Sequence, residues 1–242
     1  MNNAENMTTI ADRLQAVKAS IHAAEITGHR VTNSVTLLAV SKAQPASSIR
    51  EAWLAGQRHF GENYLQEALT KQSLLTDIEV IWHFIGPIQS NKTQAIGQHF
   101  AWVHSVDRLK IADRLNQARP DHLPPLQICL QINVSNEISK SGVALEDAMA
   151  LAKAISKLPK LKLRGLMAIP APTDNVELQH QQFSVVEHLF ESMRTQGYAV
   201  DTLSIGMSED YKVAIQHGAT IVRIGSAIFG ARPKQGEERD AE

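Results

Sequence analysis

The residues best placed to do chemistry lie at the ends of apolar runs. In "VTLLAVSKAQPAS" an uncharged run stops at Ser41 and Lys42, so a lysine stands at the mouth of a buried strand. An ε-amine held against apolar surroundings loses part of its preference for the charged form, and a neutral amine condenses with an aldehyde to form a Schiff base. Two other segments offer anion chemistry. In "SIGMSED", Gly206 allows close backbone approach, and Ser208 is placed to cap the helix that follows. In "RIGSAIFG", Gly225 and Ser226 add a second set of donors. Glu209 and Asp210 stand in the first turn expected for that helix, where they would repel a phosphate if they faced it and otherwise favour the helix dipole. Arg223 alternates with Val222 and Ile224 and shares a face with Ile221 and Gly225, so one of the two faces points inward.

Each residue also has a plainer role. Position alone favours a solvated Lys42 at a strand end, and Arg223 is equally readable as the partner of a nearby carboxylate. What raises the chemical interpretation is their coincidence on one architecture. Eight apolar runs, at 35–41, 58–62, 80–86, 101–106, 126–134, 161–169, 201–207 and 220–225, alternate with amphipathic segments. An additional helix, about residues 5 to 27, precedes them. This pattern predicts an α/β fold, a single (β/α)8 TIM barrel with an N-terminal helix. The open doubly wound alternative lacks its fingerprint, since no G-x-G-x-x-G follows the first strand. Residues 1–232 are expected to form one barrel domain, with 233–242 a polar tail.

Active sites in this fold gather at the C-terminal ends of the strands, and phosphate sites at the loops after strands seven and eight. Lys42, Glu62, Asn63, Gly86, His104, Ser105, Asn133 to Ser135, Met167, Gly206 to Ser208 and Arg223 to Ser226 all fall on that rim. A phosphorylated aldehyde held by "GMS" and "RIGS" opposite Lys42 has the chemistry of pyridoxal 5′-phosphate (PLP). Arg223 opposite a pyridine nitrogen would discourage its protonation. His83 reads as a hydrogen-bonded core histidine, Glu62 as a solvated loop carboxylate, and Asn91 and Lys92 as the start of a helix.

The 242 residues carry 24 basic and 25 acidic side chains, a net charge of −1, which leaves no footprint for nucleic acid or an anionic membrane. Cys129, the single cysteine, reads as a packed core thiol in a reducing compartment. No leader pattern opens the chain and no apolar run is long enough to span a bilayer, so a cytoplasmic location is expected. The ten histidines include no H-E-x-x-H, and no metal is expected.

The segments "AVSK", "FGENYLQE", "WHFIGPIQSNK", "HSVDRLKIADRL", "QINVSNEISKSG", "LRGLMAIPAP", "LSIGMSEDYKVAI" and "TIVRIGSAIFGAR" resemble the pyridoxal phosphate homeostasis protein family over about residues 8 to 232. The resemblance implies a barrel similar to the N-terminal domain of alanine racemase, holding PLP as a Schiff base. Lys42 matches the lysine that carries it. Ser208, Gly225 and Ser226 match phosphate ligands, Arg223 the arginine opposite the pyridine nitrogen, and Asn63 a polar pocket residue. Lys140 matches a second PLP-accepting lysine. Gln44 departs from a lysine common in the family, "GS" replaces "GT", and Lys234 stands alone where some relatives have a pair.

The resemblance implies a PLP carrier in homeostasis, whose partners are apo PLP-dependent enzymes or PLP-synthesising enzymes; a complete barrel with no extra interface element favours a monomer, and the want of a second acid/base group predicts no efficient turnover. The alternatives are a PLP-dependent amino-acid racemase and, more weakly, a sugar-phosphate barrel enzyme. A racemase needs an acid/base group on each cofactor face, and Tyr64, Tyr198 and Tyr211 all sit in helix-like context.

Overall fold

The computed structural model describes residues 9–134 and 141–230. Its eight strands are β1 Thr36–Val40, β2 His59–Glu62, β3 Ile81–Phe84, β4 Trp102–Val106, β5 Leu126–Ile132, β6 Leu161–Ala168, β7 Thr202–Ser204 and β8 Ile221–Ile224. They pair in parallel in sequence order, and β8 returns to β1 through the register Leu38 with Arg223 and Ala39 with Ile224. All eight apolar runs are strands of one closed barrel. The run at 201–207 is a strand only to Ser204, because Gly206 turns the chain at φ 92°.

The helices are α1 Ile10–Thr27, α2 Ala46–Leu54, α3 Leu65–Leu74, α4 Thr93–His99, α5 Leu109–Ala118, α6 Ala148–Ile155, α7 Val176–Thr195, α8 Tyr211–Gln216 and α9 Ser226–Phe229. Residues Ser90–Lys92 form a short 3-10 turn leading into α4, which accounts for Asn91 and Lys92. Thr9 starts α1 with a capping box: its hydroxyl accepts the Asp12 N–H, and Asp12 accepts the Thr9 N–H.

Because α9 is only four residues long, it cannot cover the barrel wall as the other helices do. The additional helix α1 packs there, against α2, α8 and α9. It buries Leu14, Val17 and Ile21, each contributing roughly 1.5–3 kcal/mol of transfer free energy. Polar contacts fix its position: Arg13 Nε donates to the Ile228 carbonyl at 2.6 Å, and the Ser20 and Tyr211 hydroxyls lie 2.7 Å apart.

The main core lies between barrel and helices and includes Phe60, Val103, Ile128, Leu166, Val222 and Ile224. A smaller apolar group, Leu38, Ile85 and Ile221, fills part of the barrel interior. The partition settles the face of Arg223: it alternates with Val222 and Ile224, which pack under the helices, and so points inward with Ile221. Among the described residues, no helix is long and apolar enough to cross a membrane.

Candidate functional site

A cavity of about 210 Å³ opens at the C-terminal end of the barrel. Lys42, Asn63, Ser208, Arg223, Gly225 and Ser226 all line it, delivered from the ends of β1, β2, β7 and β8. Val40, Gln44, Ile85, Ile169, Met207 and Gly230 complete the wall. Lys42 thus stands in the same chamber as the two glycine-containing loops. Lys140 and the tail 233–242, with Lys234, lie outside the described residues.

The turn that presents Lys42 is held from below by charges. Lys71, from α3, donates to the Ser41 carbonyl and to Glu62 Oε1, both at 2.7 Å, and to Glu67 Oε1 at 2.5 Å. The Ser41 hydroxyl donates to Glu62 at 2.6 Å, and the Ala43 N–H to Glu67 at 2.6 Å. Ala43 adopts φ 58°, a left-handed conformation that costs a non-glycine residue about 1 kcal/mol and persists where surroundings over-determine it.

Glu62 is therefore not the solvated carboxylate expected from its place on the rim. It alternates with His59 and Gly61 on β2, faces the helices beside Phe60, and is fully buried. Burial raises its pKa, and Lys71 and the Ser41 hydroxyl oppose that rise. The Glu67 and Lys71 spacing is legible as an i,i+4 helix pair. Their meeting with Glu62 needs the packing of α3 on the barrel.

Asn63 is set by a close approach. A Cβ on Gly86 would lie 2.1 Å from the Asn63 carbonyl oxygen, so only glycine fits after β3. Ser105 donates to the Gly86 carbonyl at 2.5 Å and braces the same junction. Among the described residues, the buried Asn63 Oδ1 has no hydrogen-bond partner.

The "GMS" loop differs from expectation. Helix α8 starts at Tyr211 with Asp210 at its N-cap, so Ser208 does not cap it, and Glu209 and Asp210 precede the helix rather than occupy its first turn. The reason is the tight turn at 208–210, closed by the Tyr211 N–H to the Met207 carbonyl and by Asp210 Oδ1 accepting the Met207 N–H at 2.6 Å. Ser208 is left facing the cavity, and neither acidic residue lines it. Gly225 forms the N-cap of α9, and its Cβ would come within 3.0 Å of the Val40 carbonyl oxygen. The N–H groups opening a helix have no acceptor within it and are available to an anion.

Among the described residues, Arg223 has no carboxylate hydrogen-bonded to it. Its guanidinium donates to the Ser204 carbonyl, to Ser204 Oγ at 2.9 Å and to the Ala168 carbonyl at 2.8 Å. Burial brings its pKa down to about 10, opposed by Asp210, and it remains a cation at neutral pH. Asn133 and Met167, expected on the rim, do not line the cavity; the Asn133 N–H instead bonds the Val143 carbonyl. His104 lies deeper in the barrel and is fully buried.

Residues 13–233 match the family model described as alanine racemase, N-terminal domain. The pyridoxal phosphate homeostasis protein of Pseudomonas aeruginosa is 57% identical over 226 residues, covering 93% of this chain and 97% of that protein. Its counterpart in Escherichia coli (strain K12) is 50% identical over 229 residues, covering 93% and 98%. Among solved structures, PipY of Synechococcus elongatus PCC7942 with PLP bound superposes with a TM-score of 0.81 at 36% identity, covering 92% of this chain and all of that one. Alanine racemase from Corynebacterium glutamicum shares the fold, with a TM-score of 0.66 at 17% identity, and this chain covers 64% of it. The chain belongs to the pyridoxal phosphate homeostasis protein family, built on the alanine racemase N-terminal-domain fold.

Proposed function

We propose that this protein binds PLP in the cavity between the β1 and β8 ends, with Lys42 holding the aldehyde as a Schiff base. It serves PLP homeostasis in the cytoplasm as a carrier or buffer without efficient substrate turnover. The observation that carries this reading is the convergence of Lys42, Arg223 and the Ser208, Gly225 and Ser226 donors around one cavity of about 210 Å³. The relatives named for PLP homeostasis, and PipY with PLP bound, support it.

The donor set fits the cofactor. PLP supplies an aldehyde that condenses with an amine and a pyridine ring that withdraws electrons when its nitrogen is protonated. Lys42 provides the amine. Ser208, Ser226 and the backbone at Gly225 provide hydroxyl and N–H donors for a phosphate. The unpartnered Asn63 Oδ1 offers an acceptor to a ring hydroxyl. Arg223, permanently a donor, would offer an N–H that a ring nitrogen could only accept, which would keep that nitrogen unprotonated and weaken electron withdrawal.

The racemase alternative requires a second acid/base group facing the cofactor. Tyr211 is bonded to Ser20, Tyr64 is exposed, and no tyrosine is among the described residues lining the cavity. As a carrier, the protein would exchange PLP with PLP-synthesising enzymes and apo PLP-dependent enzymes, acting as a monomer.

The test is the visible spectrum of wild type and Lys42→Ala after incubation with PLP. Wild type is expected to show the absorbance band of lysine-bound PLP, lost on borohydride treatment, and Lys42→Ala to lack it. Retention of the band in the variant overturns the assignment of Lys42. Amino-acid chirality followed in the same samples is expected to stay unchanged, and turnover at ordinary enzyme rates overturns the carrier reading.

A further inference from the structure

Layers of branched apolar side chains usually fill a barrel of this kind. Here a row of polar groups crosses the interior from one end toward the other. His59 Nδ1 lies 2.9 Å from His83 Nε2, His83 Nδ1 lies 2.9 Å from His104 Nε2, and His104 Nδ1 lies 2.8 Å from Ser204 Oγ. Ser204 Oγ then accepts from Arg223, which lines the cavity. His83 and His104 are fully buried, and His83 stacks on Trp102 with ring planes 11° apart. The far end, His59, lines a second opening, of about 360 Å³, together with Lys18, Glu25 and Arg58.

Proton accounting orients this row. A guanidinium donates and never accepts, so Ser204 Oγ spends a lone pair on Arg223 and keeps one proton to give. Among the described residues its hydroxyl meets Arg223 and His104. The proton therefore goes to His104 Nδ1, and His104 carries its own on Nε2. That N–H donates to His83 Nδ1, His83 in turn donates from Nε2 to His59 Nδ1, and His59 is left with its proton on Nε2. Each link between Ser204, His104, His83 and His59 then has one donor and one acceptor, without a buried histidine cation. The opposite polarity leaves the Ser204 proton without an acceptor, a penalty of the size that buried polar groups avoid.

We propose that Ser204, His104, His83 and His59 form one oriented hydrogen-bond chain that positions the Arg223 guanidinium toward the cavity and couples its donor geometry to the opposite end of the barrel. These are positioning residues. The chain moves no proton at rest. Each link polarises the next, and removing the hydroxyl at its head releases all three imidazoles from a single tautomer. Its consequence for the cofactor rests on the proposed function, in which Arg223 donates to the ring nitrogen.

The experiment is two-bond 15N–1H correlation on the full chain with 15N-labelled histidine, first without PLP. Wild type is expected to show His59, His83 and His104 as neutral Nε2–H tautomers. Ser204→Ala is expected to lose that uniform pattern at all three, and Ser204→Thr, which retains a hydroxyl, to restore it. Wild-type His104 in the Nδ1–H form overturns the proposal even if no variant folds, and so does a Ser204→Ala change confined to His104. With PLP added, Ser204→Ala is expected to shift the visible band and weaken binding roughly five- to tenfold, the loss of about one hydrogen bond. An unshifted band with unchanged affinity overturns the coupling to the cofactor. If wild type takes up no PLP, the proposed function fails while the tautomers still decide the chain.

Discussion

Lys71 Nζ lies 2.7 Å from Glu62 Oε1, both side chains are buried, and the same ammonium bonds the carbonyl of the residue before Lys42. An ion pair out of water is fragile toward loss of one member, because the survivor is a desolvated charge. Lys71→Met should destabilise the protein by about 3–5 kcal/mol in urea unfolding. Glu62→Gln combined with Lys71→Met should recover much of that. A double variant no more stable than the single would show that the pair does not account for the loss.

The junction beneath Asn63 should be intolerant of a single methyl. With a Cβ only 2.1 Å from the Asn63 carbonyl oxygen, Gly86→Ala has to displace the backbone of a cavity residue. We expect a loss of roughly 2–4 kcal/mol of stability and weaker PLP uptake. Ser105→Ala, which removes one donor to the Gly86 carbonyl, should cost only about 1 kcal/mol. Equal, negligible effects in thermal unfolding and PLP titration would contradict this account.

The histidine row sets a pH dependence. Burial holds His83 well below the ordinary value of 6.5 and His104 at about 3. The unfolded chain therefore binds protons that the folded one refuses, so stability is fully present above about pH 6.5 and declines as pH falls toward about 3. Two such groups give a slope approaching about 2.7 kcal/mol per pH unit well below the unfolded value. Urea unfolding at a series of pH values should show it, and His104→Gln should remove about half. A flat profile between about pH 6 and pH 5 would refute the neutral pair.

Cys129 is a buried free thiol whose pKa burial pushes up to about 12. The thiolate is the reactive form, so labelling by a thiol reagent should proceed only as fast as the chain opens. Its rate should rise with urea in step with global unfolding. Rapid labelling under native conditions would place the thiol outside the core.

The number and order of the strands, and the positions at their C-terminal ends, are legible in the chain's apolar pattern. Short apolar runs separated by amphipathic segments admit few other architectures, and strand ends in a parallel barrel share one rim. That logic places Lys42, Asn63, Ser208, Arg223, Gly225 and Ser226, far apart in the chain, on one rim with Glu62, Asn133 and Met167, and the family resemblance is what singles the six out. Three things needed the tertiary structure. The inward face of Arg223 was open because β8 is apolar on both sides, and only closure onto β1 decided between them. Glu62 read as a loop carboxylate because its cation arrives from a helix packed across the barrel wall. The histidine row joins β2, β3, β4 and β7 across the barrel interior. Periodicity reports which residues share a face; pairing between distant segments is created only when the sheet closes.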